Sequence, residues 1–255
     1  MALFLDEIAL AYDNSIDWEG RLAREIPFIS SFLPVKGRVL DMACGSGRHS
    51  TYLSARGHDV IGFDSSEGMI RQAKKIASRQ RRSPEFIVGD MRHLEALADP
   101  GFDLIICLGN SLALLPDTND LKNVFTSVSR LLKKEGYFIL QLLNFEEILS
   151  HGFRYFPIKG EMLPQGNVVL FTRFFQHKPE ANYSMLVASS FLKKGNYWLT
   201  DIFTQRVQHF SEKLLQETLA ATGFTSLEFF SDYEYSSFLS SRDRNMVVRA
   251  GRGTK

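Results

Sequence analysis

Along the chain, short β-branched apolar runs alternate with stretches whose apolar positions recur every three to four residues. RVLDMA at 38–43, DVIGFD at 59–64, EFIVGD at 85–90, FDLIICLG at 102–109 and YFILQLLN at 137–144 read as five strands. Helices are expected near 47–56, 67–80 and 118–133, the last closed by KKEG as a glycine-terminated helix with cations in its final turn. Strands and helices in alternation predict a mostly parallel sheet with helices on both faces. After residue 150 the texture changes. From 153 to 209 the apolar positions alternate with period two, as in VVLFTRFFQH, SMLVASSFLKK and YWLTDIFTQRVQHF, with turn signals KPEAN and KKGN between them. That pattern predicts an antiparallel insertion. A helix at 211–222 and strands at 224–230 and 244–250 then complete a seven-stranded sheet.

The break at the end of the first strand carries the chemistry. VLDMACGSGRHSTYL, residues 39–53, runs from a buried strand through Asp41, Ala43, Gly45 and Gly47 directly into a helix. Glycines there let a ligand approach the backbone, and the helix start offers unpaired amides. A dinucleotide-binding loop would place a third glycine at position 50, where the chain has Ser50, so a dehydrogenase is disfavoured. Asp64 closes the second strand 19 residues after Gly45, where a carboxylate can accept both ribose hydroxyls of an adenosine. Asp90 and Met91 follow the third strand and offer an acid and an apolar side chain to an adenine. Each acid alone could be only a helix cap, but three sit at three successive strand ends around one glycine loop.

Composition narrows the class. The chain has 255 residues, 44% hydrophobic and 23% charged, with a formal net charge of +1, so nothing electrostatic calls for nucleic acid or an anionic membrane. The basic run RQRR at 79–82 is expected at a helix end, where cations favour the dipole. Cys44 and Cys107 are not spaced as a pair, and His49, His58, His93, His151, His177 and His209 show no ligand spacing, so neither a disulfide nor a metal is expected. No apolar stretch approaches a membrane span, and MALFLDEIALAYD lacks the features of a signal peptide, so a cytoplasmic protein is expected.

VLDMACGSG, GHDVIGFD, FIVGDMRHL and FDLIICLGNSLALLPD stand in an order and spacing that resembles the class I S-adenosylmethionine-dependent methyltransferases. ICLGNSLALLPD with the later NFEEIL is similar to the glycine N-methyltransferase-like small-molecule group. The resemblance implies an α/β Rossmann-like fold divided into an N-terminal helical lid at 1–35, a cofactor-binding core at 36–150, an antiparallel acceptor cap at 151–210 and a C-terminal completion of the core at 211–255. It implies S-adenosylmethionine as cofactor, with Asp41, Ala43, Gly45 and Gly47 around its methionine part. Asp64 would hold the ribose, Asp90 and Met91 the adenine, Leu108 and Ser111 the methionine chain, and Arg21 the carboxylate unless it is only a solvated helix residue. Asn110 would contact the acceptor or satisfy the loop backbone, and Tyr12 would line the sulfonium or belong to an amphipathic helix. The expected acceptor is a small molecule, an amine nitrogen first. A methyltransferase acting on RNA or protein and a non-catalytic cofactor-binding protein of the same fold are the alternatives. Departures are visible: Leu114 stands where that group has a histidine, and neither Arg154 nor Arg173 sits in its carboxylate-binding motif. A homo-oligomer is left open.

Overall fold

The structure, a computed structural model, describes residues 13, 16–97, 100–162 and 166–253. Strands β1 (Arg38–Met42), β2 (Asp59–Asp64), β3 (Glu85–Val88), β4 (Phe102–Cys107), β5 (Leu132–Leu143), β10 (Phe224–Phe230) and β11 (Asn245–Arg252) form one sheet in the order β10-β11-β5-β4-β1-β2-β3. The pairs from β3 through β5 are parallel, and β11 is antiparallel to both of its neighbours. The chain builds β1, β2 and β3 outward in one direction and then returns to the other side of β1 for β4. This reversal opens a crevice at the carboxyl ends of β1 and β4, where ligands of open α/β sheets bind.

Alternation along the strands sorts the core onto two faces. Val39, Leu104, Ile106, Ile139 and Val247 pack with Ile26, Phe28 and Ile29 of α1 (Trp18–Ser30) and Leu53 of α2 (Arg48–Ala55). Leu40, Met42, Ile105, Cys107, Phe138 and Leu140 face the other way, against Leu121, Val124, Phe125 and Val128 of α4 (Thr118–Leu131) and Leu215 and Leu219 of α6 (Glu212–Ala221). Helix α3 (Glu67–Ala77) closes the β3 edge through Ile70, Ala73 and Ala77 on Phe86. Its N-cap Ser66 accepts from the Met69 N–H.

Two local expectations are corrected. KKEG does not cap a helix: α4 ends at Leu131, and residues 133–136 belong to β5. There the pairing with β4 jumps from Phe102–Leu132 to Leu104–Tyr137, which is a bulge. Glu135, not the glycine, takes the left-handed conformation, with φ 65°. Gly136 is needed because an added Cβ would lie 3.1 Å from both the Lys133 and Phe102 carbonyl oxygens. The second correction concerns RQRR, which follows α3 as an exposed turn and so is not in its last helical turn. A short helix, α5 (Phe145–Ser150), capped by Asn144, lies where no element was expected.

The insertion forms a separate antiparallel sheet ordered β6 (Lys159–Met162), β7 (Val168–Lys178), β8 (Tyr183–Lys194) and β9 (Tyr197–Gln208). It is pinned to the core by a buried hydrogen-bonded chain. His177 Nε2 donates to the Phe153 carbonyl at 2.8 Å, which leaves Nδ1 to accept from the Ser184 hydroxyl at 2.7 Å. The Ser184 oxygen accepts in turn from His209 Nε2 at 2.8 Å, and the His209 ring stacks on Phe145 with centroids 4.2 Å apart.

Burial, with the neighbouring His177, pushes the His209 imidazole down to about 4. The unfolded chain charges this ring from about pH 6.5. Between the two values the unfolded state binds more protons, so the stabilisation by the neutral ring is complete above about pH 6.5 and is lost as the pH falls toward 4. The expected loss is about 3 kcal/mol, read as a falling urea midpoint between pH 7 and pH 4. His209→Gln should flatten that slope; an unchanged slope would contradict the assignment.

Among the described residues no helix is long and apolar enough to cross a membrane.

Candidate active site

The glycine loop at the end of β1 is built from left-handed residues: Ala43 at φ 59°, Gly45 at 54° and Gly47 at 69°. For Ala43, a residue with a Cβ, that conformation is uncommon. Gly47 caps α2, and an added Cβ there would lie 2.6 Å from the Phe86 ring and 2.8 Å from the Ala73 Cβ. Gly45 is the opposite case, because its Cβ would meet nothing within 4 Å. One glycine therefore serves packing, and the other keeps open the space in front of the loop.

Asp64, at the end of β2, organises that space. Its Oδ2 accepts from the Gly45 N–H at 2.8 Å and its Oδ1 from the Ser66 N–H at 2.9 Å. A carboxylate has about four acceptor sites, so each oxygen keeps capacity for a further donor. In front of it lies a cavity of about 350 Å³ bounded by Ala43, Phe63, Asp64, Gly89, Asp90 and Met91 on one side. Ser111, Leu114, Leu115 and Pro116, after β4, and Gln205 of β9 bound the other. Gln208 Nε2 donates to the Pro116 carbonyl and ties β9 to this rim.

The structure thus brings Ala43, Asp64, Asp90, Met91 and Ser111 to one cavity, with the Gly45 N–H hydrogen-bonded to Asp64 beside it. The other expected residues lie around it in different settings. Asp41 is buried and points back at α2, where its Oδ2 accepts from the Ser50 N–H at 3.1 Å and the Ser50 hydroxyl at 2.5 Å. Burial raises its pKa despite these bonds. Leu108 is part of the core against α1, and the Ser111 hydroxyl donates to its carbonyl at 2.9 Å. Asp90 is clasped by Arg92, whose Nη2 lies 2.5 Å from Oδ2, and this pairing holds the carboxyl below its ordinary value. Asn110, in the left-handed conformation at φ 66°, uses its amide oxygen to accept from the Leu143 N–H at 2.8 Å. Tyr12 lies outside the described residues.

Several residues at the site were not singled out from the sequence. Gln141 of β5 accepts through Oε1 from both the Gly109 and Asn110 N–H groups, at 2.8 and 3.1 Å, and donates to Asn245 at 2.7 Å. A lone amide inside the apolar run YFILQLL was the available signal, since a buried polar group must be partnered. Glu25 of α1 binds Arg21 Nε at 2.8 Å and His49 Nε2 at 2.6 Å. Burial would raise the Glu25 pKa, but His49 and then Arg21 outweigh it and hold the carboxyl low. Arg21 also stacks over Trp18, 5.0 Å from the ring centroid, and its Nη2 lies 3.8 Å from where a Cβ on Gly109 would stand. Asp13 clamps the same corner to the glycine loop by accepting from Ser46, Arg48 and Trp18.

Burial pushes the Cys44 and Cys107 thiols up, which makes them poor nucleophiles. Among the described residues no group of three or more His, Cys, Asp or Glu is arranged to hold a metal.

Residues 39–136 match the family described as Methyltransferase domain. The glycine/sarcosine N-methyltransferase of Halorhodospira halochloris is 32% identical over 152 residues, 59% of this chain and 57% of that protein. The chain therefore spans little more than half the length of this curated relative. An S-adenosylmethionine-dependent methyltransferase structure from Clostridium acetobutylicum superposes with a TM-score of 0.75 at 20% identity, covering 92% of this chain and 94% of that one. The SAM-bound CalS10 of Micromonospora echinaspora, an amino pentose methyltransferase, does so with a TM-score of 0.69 at 17% identity, covering 95% and 96%. With its glycine loop and acidic strand ends on this seven-stranded sheet, the chain shares the fold of these S-adenosylmethionine-dependent methyltransferase structures, and its residues 39–136 are similar to the methyltransferase domain family.

Proposed function

We propose that the chain transfers a methyl group from S-adenosylmethionine to a small-molecule acceptor, with an amine nitrogen as the acceptor atom. The observation that carries the reading is the cavity in front of Asp64, whose carboxylate is oriented by the Gly45 N–H and retains acceptor capacity. The donor set suits the cofactor. Asp64 can accept ribose hydroxyls, Met91 and Phe63 offer apolar faces to an adenine, and Gly45 has no side chain to obstruct the approach. The similarity to a glycine/sarcosine N-methyltransferase supports a small amine as acceptor.

Bound S-adenosylmethionine supplies a methyl group already activated on a sulfonium, so the protein needs neither a covalent nucleophile nor a metal. What the chain must do is hold, orient and exclude water, which can supply ~7–11 kcal/mol of a barrier. Asp64 fixes the ribose end. Arg21, aimed by Glu25 and Trp18 toward the end of β4, supplies the charge that suits a carboxylate. Asn110 and Gln141 hold the backbone at Gly109 in place, so the end of β4 that would border the cofactor is set by β4 and β5 together. In this reading Asn110 acts on the acceptor through the loop it shapes, because its amide oxygen is engaged by Leu143.

The test is transfer of labelled methyl to a panel of glycine, sarcosine, other small amines, small hydroxyl compounds, bulk tRNA and protein. Label on a small amine is expected. Asn110→Ala should lower kcat by about 10²-fold, the scale of a 1 Å misplacement, with cofactor affinity largely kept. Label on tRNA or protein alone would contradict the acceptor class, and cofactor binding with no transfer would favour a binding protein.

A further inference from the structure

We infer that strand β9 pairs antiparallel with β9 of a second copy of this chain, centred on Thr200, and so joins the two insertions into one continuous sheet. β9 is the last strand of its sheet, and among the described residues no strand pairs with its outer edge. It is 12 residues long and runs against β8 from Tyr197 to Gln208 without a register shift. Monomeric proteins protect such edges with lysine, proline, bulges or short strands. Between 197 and 205 β9 has no lysine, arginine, proline or glycine, and its one charged residue is Asp201. Instead Tyr197, Trp198, Leu199, Ile202 and Phe203 are 59%, 48%, 36%, 64% and 57% exposed. The apolar exposure lies on both faces, odd residues on one and even residues on the other, so a body packing on a single face would cover only half of it. Pairing at the edge brings neighbours to both faces at once.

Symmetry identifies the partner and the register. Two identical strands related by a two-fold axis perpendicular to their sheet place residues of the same face opposite each other, so the paired numbers must have an even sum. Centring on Asp201 sets two like charges against each other, which is destabilising, and centring on Leu199 carries Ile202 and Phe203 past the partner strand's start at Tyr197, so neither has a strand residue opposite it. One apolar residue faces Asp201 in the Leu199 and Thr200 registers alike, Tyr197 in the first and Leu199 in the second. Centring on Thr200 sets Trp198 against Ile202, Tyr197 against Phe203 and threonine against threonine, combinations that stabilise antiparallel pairs. It matches every one of the exposed aromatic residues of β9 with an apolar partner. The far end of the strand, from Gln205 to Gln208, turns in to the core at the cavity rim, so the edge available for pairing is the stretch around Thr200.

The experiment is sedimentation of the full chain over a wide concentration range, with Ile202→Glu and Trp198→Glu, two exposed positions outside the proposed site. A species of twice the chain mass is expected for the unsubstituted protein. Each variant should be a monomer with an unchanged melting temperature in the low-concentration limit. The register is read by oxidation. Directly opposed residues stand within disulfide reach, so Thr200→Cys should cross-link two chains, and Leu199→Cys, opposite Asp201, should not. The unsubstituted chain, with Cys44 and Cys107, is the control. A monomer at every concentration overturns the inference, whatever else the surface captures, as does a dimer untouched by both glutamates. Cross-linking through position 199 and not 200 overturns the register.

Discussion

Replacing Asp64 with alanine is expected to weaken S-adenosylmethionine binding by about 10²- to 10⁴-fold while leaving the fold intact. The carboxylate sits where the loop after β1 meets the loop after β2, accepting one N–H from each at 2.8 and 2.9 Å. Its removal leaves the Gly45 and Ser66 donors unpaired and removes the acceptor for ribose hydroxyls. Hydrogen bonds to a charged group are worth about 1.5–3 kcal/mol each, and about 1.4 kcal/mol corresponds to tenfold in affinity. Losing two of them accounts for the expected range. Asp64→Asn keeps one accepting oxygen and should fall between the two. Calorimetric titration with the cofactor gives the affinity. A change of only a few-fold in Asp64→Ala would remove the carboxylate from the cofactor site.

The second large effect separates the two glycines of the loop. Gly47→Ala forces a Cβ into the left-handed region at φ 69°, 2.6 Å from the Phe86 ring and 2.8 Å from the Ala73 Cβ. The conformation costs about 1–2 kcal/mol and overpacking another 1–3. The melting temperature should therefore fall by about 5–15 °C in a chain of this size. Gly45→Ala carries the same kind of conformational cost at φ 54° but meets nothing within 4 Å. It should melt within a few degrees of the unsubstituted chain and still bind the cofactor poorly, because its methyl enters the space in front of the loop. Equal melting of the two variants would show that α2 and α3 can separate around Gly47 at little cost.

Much of the fold was legible because the strands of a covered sheet are apolar on both faces and end abruptly. β2 and β10 lie at the residues expected, and β1, β3 and β4 differ only at their ends. KKEG was misread because a glycine after cations marks a helix end by local chemistry. Only the neighbouring carbonyls of β4 and β5 show that Gly136 is there for close approach. The long alternation after residue 150 identified the insertion strands, but nothing local revealed the His177–Ser184–His209 chain. Its members come from three positions that meet only when β7, β8 and the end of β9 align.

The site divides in the same way. By itself the sequence determined the order of strand, glycine loop and strand-end acids, and with it the placement of Ala43, Asp64, Asp90, Met91 and Ser111 at one crevice, since chain direction in a parallel sheet puts successive strand ends on the same edge. Only the tertiary structure decided which of these groups still has acceptor capacity for a ligand. Asp41 is buried against Ser50 of α2, both oxygens of Asp90 are taken by Arg92 and the Asn110 oxygen is turned to the Leu143 N–H, whereas Asp64 lines the cavity with acceptor sites to spare. It also aimed Arg21 through Glu25 and His49 and brought Gln205 of the insertion to the cavity wall. The physical reason is that a side chain's residue type sets which hydrogen bonds it can form, but its partner is chosen among all the donors that folding brings within about 3 Å.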